Sequence, residues 1–392
     1  MMKRLAIVTS HPIQYNAPLF SLLCARNRIQ IKVFYTWGDS VLKNKYDPGF
    51  GKVIQWDIPL LDGYPYTFVT NTASDKGSHH FKGIINPSLI EEIEDFKADA
   101  VLVFGWAFES HLKAIRYFSG KIPVFFRGDS HMLDYISPLK RPIRNLLLRY
   151  VYGKVSYAFY VGKHNMEYFR KAGLKQSQLI FAPHAIDNFR FSCKDNTCLS
   201  RAKEYRQQLD IPEDAKVILF AGKLEPKKSP LLLVEAFNQL TNMDNTYLVI
   251  AGNGPLEDEV KKAACSSPFI KCIPFQNQQS MPSLYATSDV FVLPSAGPGE
   301  TWGLSVNEAM AAGKAVVVSD RCGCHSDMVV EAVNGYVFQS GNVASLVMSL
   351  SNALDLNIAD TRMCNEKLLS VYSFETVALA IEDALTSSNL RS

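Results

Sequence analysis

The sequence predicts an α/β protein with two domains, each a parallel β-sheet covered by helices. First, the chain has 392 residues, of which 47% are hydrophobic and only 20% charged, so it can bury two cores. Second, strand-length runs of apolar, β-branched or aromatic residues alternate with helix-length amphipathic segments, which is typical of parallel sheets. Third, this rhythm is interrupted between about 188 and 214, which marks a domain boundary.

The strand-length runs fall in two groups along the chain. The predicted strands are 5–9, 31–35, 100–104, 123–126, 156–161, 179–182, 216–221, 247–251, 270–274, 290–294 and 315–319. Helices are expected between them, for example at 87–96 and 231–237. We therefore predict domains at 1–188 and 189–372 with a cleft between them. A last helix, about 373–386 within the terminal segment 373–392, can pack on either domain.

Composition excludes several classes of protein. A formal net charge of +3 is too small to indicate a nucleic-acid partner, which requires a concentrated basic face. The eight cysteines are scattered, so we expect reduced thiols in a cytoplasmic protein. The apolar start is cut off by His11 and Pro12, which argues against a signal peptide. No apolar stretch approaches the roughly 20 residues of a membrane-spanning helix.

The stretch 290–313 is the most informative part of the sequence. It has the pattern of a strand, a Gly/Pro-rich loop and a helix that starts near Gly303. Ligands of open α/β sheets bind beyond the carboxyl ends of strands, and a helix N-terminus favours anions. Glu300 lies in the loop and Glu308 in the helix, so their carboxylates are roughly 8–10 Å apart. This spacing suits two hydroxyl-bearing parts of one ligand, and we predict a sugar-phosphate site.

A second strand, turn and helix spans 217–230 and brings Lys223 and Lys228 to a strand's carboxyl end. Their ammonium groups can neutralise a diphosphate. Two lysines in a turn are by themselves usually solvated surface. Their combination with the pair of glutamates favours a binding site.

Together, these motifs resemble the nucleotide-binding domain of retaining family 4 glycosyltransferases, group 1 type. The matching pieces are Gly222–Leu224 with Lys228, Ala251–Leu256, Ser288–Ser295, the Glu300 and Glu308 pair, and Pro183–Asp187. The resemblance is strong over about 180–345. It implies the GT-B fold, in which two Rossmann-like domains have parallel sheets facing across a cleft.

The resemblance also implies roles for individual residues. Glu308 would bond the donor ribose, Glu300 with Trp302 would meet the transferred sugar at the catalytic centre, and the diphosphate would be held by Lys223, Lys228 and the amides of Gly303 and Leu304. Two positions depart from the family pattern. Lys223 stands where Arg is usual, which loses a bidentate phosphate contact but keeps the charge. Ser229 replaces the usual Gly.

The amino-terminal half matches the family less well. The family's glycine-rich loop after the first strand is replaced by a polar segment that contains His11, Gln14 and Tyr15. We assign these three residues to contact with the acceptor or the donor phosphate, although a lone His is as often structural. Another strand ends before Asp129 and His131, near the place where the family commonly has a catalytic His. Either can orient or deprotonate the acceptor hydroxyl, and the alternative is a turn carboxylate.

Two further segments have compositions that are relevant to metal binding and to membrane binding. Cys322, Cys324 and His325 offer only three metal ligands with no second pair, so we expect no metal and a loop beside the donor. The segment 140–154 is basic and apolar together. It is either a sheet-covering helix with snorkelling cations or a helix that rests peripherally on the inner face of an anionic membrane.

The function that the resemblance implies is transfer of a sugar from a nucleoside-diphosphate donor to a hydroxyl acceptor with retention, without metal or other cofactor. The acceptor would be a saccharide or lipid-linked saccharide in bacterial surface polysaccharide or glycolipid synthesis. Two alternatives remain open, a nucleotide-sugar 2-epimerase of the same fold and a non-catalytic sugar-binding protein. A dehydrogenase is disfavoured because no G-x-G-x-x-G follows the first strand.

Overall fold

The computed structural model describes residues 2–39, 45–47, 52–54, 56–134, 141–241 and 245–387. The chain divides into two compact units. The first unit contains Met1–Lys45, Pro59–His184 and Phe374–Ser392, and the second contains Tyr46–Ile58 and Ala185–Ser373.

The first unit is built on a seven-stranded sheet whose described pairs are all parallel, in the order β5-β2-β1-β6-β7-β8-β9. In chain order, the first nine strands are β1 (Arg4–Thr9), β2 (Gln30–Tyr35), β3 (Lys45–Asp47), β4 (Lys52–Ile54), β5 (Tyr66–Phe68), β6 (Ala100–Phe104), β7 (Val124–Arg127), β8 (Tyr157–Tyr160) and β9 (Leu179–Phe181). Strands β3 and β4 form a separate two-stranded ladder. The helices between them are α1 (Ala17–Arg26), α2 (Leu89–Asp95), α3 (Glu109–Phe118), α4 (Arg141–Tyr152) and α5 (Lys163–Lys171).

The second unit has a six-stranded parallel sheet in the order β12-β11-β10-β13-β14-β15. Its strands are β10 (Lys216–Ala221), β11 (Thr246–Ala251), β12 (Ile270–Ile273), β13 (Val290–Leu293), β14 (Ala315–Ser319) and β15 (Gly335–Phe338). Its helices, with the last helix of the chain, are α6 (Asn188–Phe191), α7 (Asn196–Gln208), α8 (Pro230–Asn238), α9 (Glu257–Ala264), α10 (Met281–Ala286), α11 (Leu304–Ala311), α12 (His325–Met328), α13 (Val343–Leu354), α14 (Ile358–Val371) and α15 (Phe374–Thr386).

The predicted α/β class with parallel sheets is confirmed. All the strands predicted from apolar runs are present, and their ends agree with the structure to within one residue. Central strands such as β6 and β13 are apolar without alternation because helices cover both faces of a parallel sheet. The segment 188–214, where the alternation of strands and helices was predicted to be interrupted, contains α6 and α7.

Four strands are absent from the sequence prediction: β3 and β4 of the two-stranded ladder, and β5 and β15 at the edges of the two large sheets. Strand β5 is only three residues long, which is too short for a periodic signal. Strand β15 begins at Gly335, where a Cβ atom would lie 2.0 Å from the carbonyl oxygen of Val316. The close approach of the neighbouring backbone requires glycine there, and a glycine within a strand weakens the sequence signal.

The last helix, α15, packs against α1 of the first unit. The side chain of Glu382 is fully buried, and both of its oxygens accept hydrogen bonds from arginines. Arg26 Nε lies 2.8 Å from Glu382 Oε1, and Arg28 Nη1 lies 2.9 Å from Glu382 Oε2. A buried carboxylate is tolerated only with such partners. These ion pairs therefore attach the last helix to the first unit.

One expectation about the cysteines is wrong. Cys193 and Cys198 form a disulfide with a Cα–Cα distance of 5.4 Å, whereas reduced thiols were predicted throughout. The physical reason is local. Cys193 adopts a left-handed conformation with φ 46°, and the chain then turns back through Asp195, which caps α7 by accepting from the amide of Cys198 at 2.8 Å.

Helix α4 buries Leu148, Val151 and Tyr152 in the first unit and exposes a second set of apolar side chains. Ile143 is 75% and Leu146 72% exposed, and Leu147 and Tyr150 are also exposed. These positions are i, i+3, i+4 and i+7, so they form one stripe along the helix. Lys140, the first residue of the predicted basic segment, lies outside the described residues. No helix in the described part of the chain is both long and apolar enough to cross a bilayer.

The strand orders locate one special position in each sheet. The order of strands reverses between β1 and β6 in the first sheet, and between β10 and β13 in the second. At such a switch point, the loops that leave the two neighbouring strands diverge and open a crevice at their carboxyl ends. The loops after β1, β10 and β13 are the loops in which the sequence analysis found polar motifs.

Candidate functional site

Two loops flank the switch point of the second sheet. The loop after β10 runs from Gly222 to Ser229, and the loop after β13 runs from Pro294 to Gly303. They are tied together by a backbone hydrogen bond in which the amide of Ala296 donates to the carbonyl of Lys227 at 2.8 Å. Lys228 and Glu300 are therefore neighbours, although they are 72 residues apart in sequence.

The centre of this site is an ion pair between Lys228 and Glu300. The Lys228 ammonium contacts Glu300 Oε2 directly, and the Ser295 hydroxyl donates to the same oxygen at 2.9 Å. Only 16% of the Lys228 side chain and 10% of the Glu300 side chain are exposed. Lys223 lies half-buried in the same loop as Lys228. The arrangement fixes a cation and a carboxylate side by side, where solvent screens them weakly.

Gly303 directs the start of α11 into this site. Its φ of 101° is in the left-handed region, and a Cβ atom there would lie 2.7 Å from Leu293 Cδ2. Only glycine therefore fits between the loop and β13. The amide of Val306 donates to the carbonyl of Gly303 at 2.9 Å, whereas the amides of Leu304 and Ser305 precede any carbonyl of the helix and carry its positive dipole end. This feature can bind an anion beside Lys228.

Glu308 lies within α11 with only 3% of its surface exposed. Its Oε2 atom accepts a hydrogen bond of 2.7 Å from the hydroxyl of Tyr285 on α10. The hydrogen bond fixes the position of the carboxylate. Sequence reasoning found Glu308 but missed Tyr285 and Ser295. Tyr285 belongs to no motif, and Ser295 ends the motif Ser288–Ser295 without any sign of its partner, so only the packing of α10 and of the loop identifies their contacts with the two glutamates.

The indole of Trp302 is buried beneath the loop that carries Glu300. Its indole is 3% exposed, stacks on Tyr372 with ring centroids 5.8 Å apart, and donates from Nε1 to Asn307 Oδ1 at 2.9 Å. The indole therefore packs in the interior and positions the loop.

The loop that contains Cys322 and Cys324 forms backbone hydrogen bonds with the loop that carries Glu300. The Gly323 amide donates to the Glu300 carbonyl and the Cys324 amide to the Trp302 carbonyl, each at 3.0 Å. Burial raises the pKa of the Cys322 thiol to about 12 and that of Cys324 well above its ordinary value.

In the first unit, His11 follows β1 at the switch point. Its Nδ1 atom lies 2.9 Å from the hydroxyl of Ser10, and its ring contacts the edge of Trp37 at a centroid distance of 5.2 Å. Gln14 and Tyr15 are half-buried in the same loop. The three residues thus lie at the carboxyl edge of the sheet, as their sequence positions predicted.

Asp129 and His131 follow β7, two strands from β1 in the same sheet. Asp129 Oδ2 lies 3.6 Å from His184 Nε2. Burial lowers the pKa of His184, with Asp129 opposing the shift, so the imidazole is neutral near pH 7. His131 is buried, and its Nδ1 accepts the Leu133 amide hydrogen at 3.2 Å. The exposed oxygens of Asp129 are therefore better placed for a ligand than the imidazole of His131.

Arg127, at the end of β7, links this strand to the segment that follows β9. Its guanidinium is buried and donates to the carbonyls of Ala182 and Pro183 at 2.7 and 2.9 Å. Burial lowers its pKa to about 10, so it is charged at neutral pH. These bonds position the segment that carries His184 against β7. Sequence reasoning missed Arg127 because it lies in an apolar strand.

Residues 201–367 match the family described as Glycosyl transferases group 1, and this range falls within the second unit. The second unit therefore resembles the group 1 glycosyltransferases over these residues. A lipopolysaccharide 1,2-N-acetylglucosaminetransferase from Salmonella typhimurium is 33% identical over 199 residues, which are 46% of this chain and 50% of the relative. The chain spans about half the length of this curated relative.

Two solved structures share the fold over nearly the whole chain. A glycosyltransferase from Rickettsia africae superimposes with a TM-score of 0.72 and 14% identity, covering 99% of each chain. Anabaena HepE, in complex with UDP and glucose, superimposes with a TM-score of 0.67 and 17% identity, covering 98% of this chain and 99% of HepE. The structural similarity to these two proteins establishes the GT-B fold that the sequence predicted.

Ser229, which stands where the family has Gly, allows a test of local strain. It adopts φ 49° before α8, and its hydroxyl caps nothing in the helix. Because a Cβ atom is disfavoured in this conformation, we expect Ser229→Gly to raise the free energy of unfolding by about 0.5–1 kcal/mol. Urea denaturation measures the change. The matched variant Ser229→Ala keeps the Cβ atom and should show no gain, and an equal gain in both variants would contradict the strain.

Proposed function

We propose that this chain is a retaining family 4 glycosyltransferase that transfers a sugar from a nucleoside-diphosphate donor to a hydroxyl acceptor. The observation that carries the proposal is the largely buried pair of Lys228 and Glu300 in the loops before α8 and α11, at the switch point of the second sheet. A cation, a helix N-terminus and two oriented carboxylates are the groups that a sugar diphosphate needs.

In this proposal, the second unit stabilises the leaving diphosphate. Lys223, Lys228 and the amides of Gly303 and Leu304 supply positive charge where negative charge develops in the transition state. Glu308, held by Tyr285, accepts the ribose hydroxyls. Glu300 accepts hydroxyls of the transferred sugar and, through its contact with Lys228, couples the sugar site to the phosphate site.

Retention is proposed to follow from front-face attack. The bond from the anomeric carbon to the acceptor oxygen forms on the face from which the phosphate leaves, and the leaving phosphate oxygen takes the acceptor proton. The carboxylate of Glu300 supports the developing positive charge on the sugar. Glu300 is already bonded to Lys228 and Ser295, which favours this electrostatic role over that of a covalent nucleophile.

We further propose UDP as the nucleotide and a saccharide or lipid-linked saccharide as the acceptor, in surface polysaccharide or glycolipid synthesis. The support is that the HepE structure contains UDP and glucose and that the Salmonella relative is a lipopolysaccharide N-acetylglucosaminetransferase. The first unit would hold the acceptor, with Asp129 as the group that orients its hydroxyl. No metal or other cofactor takes part in the proposed transfer.

Nucleotide binding tests the donor site. UDP should raise the melting temperature, because a ligand that binds only the folded state stabilises it. Lys228→Met and Glu308→Gln should each weaken UDP binding about 10–100-fold, the loss of one charge-assisted hydrogen bond. The matched control is Lys227→Met, since the Lys227 ammonium lies 3.5 Å from Glu225 and should not contribute.

Two results would reject the proposed function. One is that UDP, GDP and ADP all leave the melting temperature unchanged while a free sugar raises it, as expected of a sugar-binding protein. The other is that the donor alone is converted to an epimerised nucleotide sugar with no transfer to any acceptor.

The stripe on α4 supports a further part of the proposal, namely contact with the membrane that holds a lipid-linked acceptor. Its apolar residues Ile143, Leu146, Leu147 and Tyr150 are exposed. Basic residues lie on the same helix and just after it, at Arg141, Arg144, Arg149 and Lys154. An apolar face with basic flanks binds at the interface of an anionic bilayer without crossing it.

Vesicle sedimentation tests this contact. The protein should bind phosphatidylglycerol vesicles more strongly than phosphatidylcholine vesicles, and less strongly as salt rises. The double variant Ile143→Ser with Leu146→Ser should bind about 10-fold or more weakly, because each buried side chain contributes about 1.5–3 kcal/mol at most. The control Met348→Ser with Met363→Ser changes two exposed residues of the second unit. Equal losses in both double variants would contradict α4 as the contact.

A further inference from the structure

The loop between β5 and α2 brings together three side chains that can ligate a metal. Asp75 Oδ2 lies 3.2 Å from Nε2 of His79 and 3.2 Å from Nε2 of His80. All three ligand atoms lie within 4.8 Å of one another. In the part of the chain that the structure describes, this is the one such group of His, Cys, Asp or Glu. It belongs to the first unit, whereas the proposed donor site belongs to the second.

The separations fit the coordination geometry of zinc. Zinc takes four ligands in a tetrahedron, with zinc–nitrogen and zinc–oxygen distances of about 2.0–2.2 Å. Neighbouring ligand atoms in such a tetrahedron are about 3.3 Å apart. The two nitrogen–oxygen distances of 3.2 Å to Asp75 match this value. Two imidazoles and one carboxylate also form the set found in open zinc sites, where water completes the shell.

The backbone of the loop is shaped around these side chains. The Gly77 amide donates to the carbonyl of Gly83 at 3.0 Å, and the Gly83 amide donates to the carbonyl of His80 at 3.2 Å. A Cβ atom on Gly77 would lie 2.3 Å from Nδ1 of His79. The glycine therefore leaves room for the imidazole in the position it occupies. Asn71 anchors the end of the loop by donating to Gly83 at 2.9 Å.

The convergence of both imidazoles on one oxygen distinguishes this cluster from an ordinary surface ion pair. A carboxylate on the surface gains little from one histidine partner. Here both rings approach the same Oδ2 atom, and Nε2 of His80 also lies 3.1 Å from the backbone carbonyl oxygen of Asp75. The side chains of Asp75, His79 and His80 are 72%, 63% and 36% exposed. An ion in solution can therefore reach all three, and solvent can supply the remaining ligand.

We propose that Asp75, His79 and His80 bind one divalent zinc-type cation, which closes the loop 75–83 on the first unit. The cation has a structural role, and the proposal does not rest on the proposed sugar transfer. It predicts one bound cation per chain with near-tetrahedral coordination. Occupancy should stabilise the loop, because the ion binds the folded arrangement of three side chains that are unconnected in the unfolded chain.

The test is cation binding to chelator-treated, tag-free protein. Equilibrium dialysis should give one Zn²⁺ per chain, and Co²⁺ in its place should give the strong visible absorption of a tetrahedral site. Asp75→Asn, His79→Ala and His80→Ala should each weaken Zn²⁺ binding about 10-fold or more, at least as much as removing a second-shell partner. Lys76→Ala and Ser78→Ala, which change the same exposed loop without touching a ligand, should bind as the wild type does.

Two further variants sharpen the result. Gly77→Ala should weaken binding, because its methyl group displaces the His79 ring. Cys265→Ser removes an exposed thiol that could bind Zn²⁺ independently, and it should leave the stoichiometry at one. The proposal is overturned if the wild type binds no Zn²⁺, or if the His79→Ala and His80→Ala variants bind it with unchanged affinity.

Discussion

The contact between Lys228 and Glu300 is the interaction around which the candidate site is organised. It joins a cation from the loop after β10 to a carboxylate from the loop after β13. Both side chains are largely removed from solvent, so separating them without other partners would leave a poorly solvated charge. The geometry of Ser295, of Gly303 and of the start of α11 follows from holding these two loops together. A sugar diphosphate could offer both groups new partners at once.

The supports of this contact are mostly backbone and packing interactions. The amides of Gly323 and Cys324 donate hydrogen bonds to the loop that carries Glu300, and the buried indole of Trp302 anchors the same loop by stacking on Tyr372. Tyr285 fixes Glu308 one helix away. Such supports bring the carboxylates to fixed positions before a ligand arrives, which is the condition for electrostatic stabilisation of a transition state at little reorganisation cost.

The sequence predicted the sheets well because a strand buried on both faces must be apolar throughout, as in Val290–Leu293. It missed β15, whose Gly335 is required by close backbone approach. The position of the last helix depends on Arg26 and Glu382, which are 356 residues apart in the chain, and no local pattern reports such a pair. Motifs indicated Glu300, Glu308 and Lys228 as candidates. Their partners Ser295 and Tyr285 are defined only by folding, as is the inward orientation of Trp302.

A crystal structure of the protein with UDP bound is the most direct test of the central claim. The account predicts the diphosphate within hydrogen-bonding distance of Lys228 and the amides at Gly303 and Leu304, with the ribose hydroxyls on Glu308. Glu300 should then face the position of the sugar. UDP bound at the carboxyl edge of the first sheet, with the contact between Lys228 and Glu300 untouched by the nucleotide, would contradict the account.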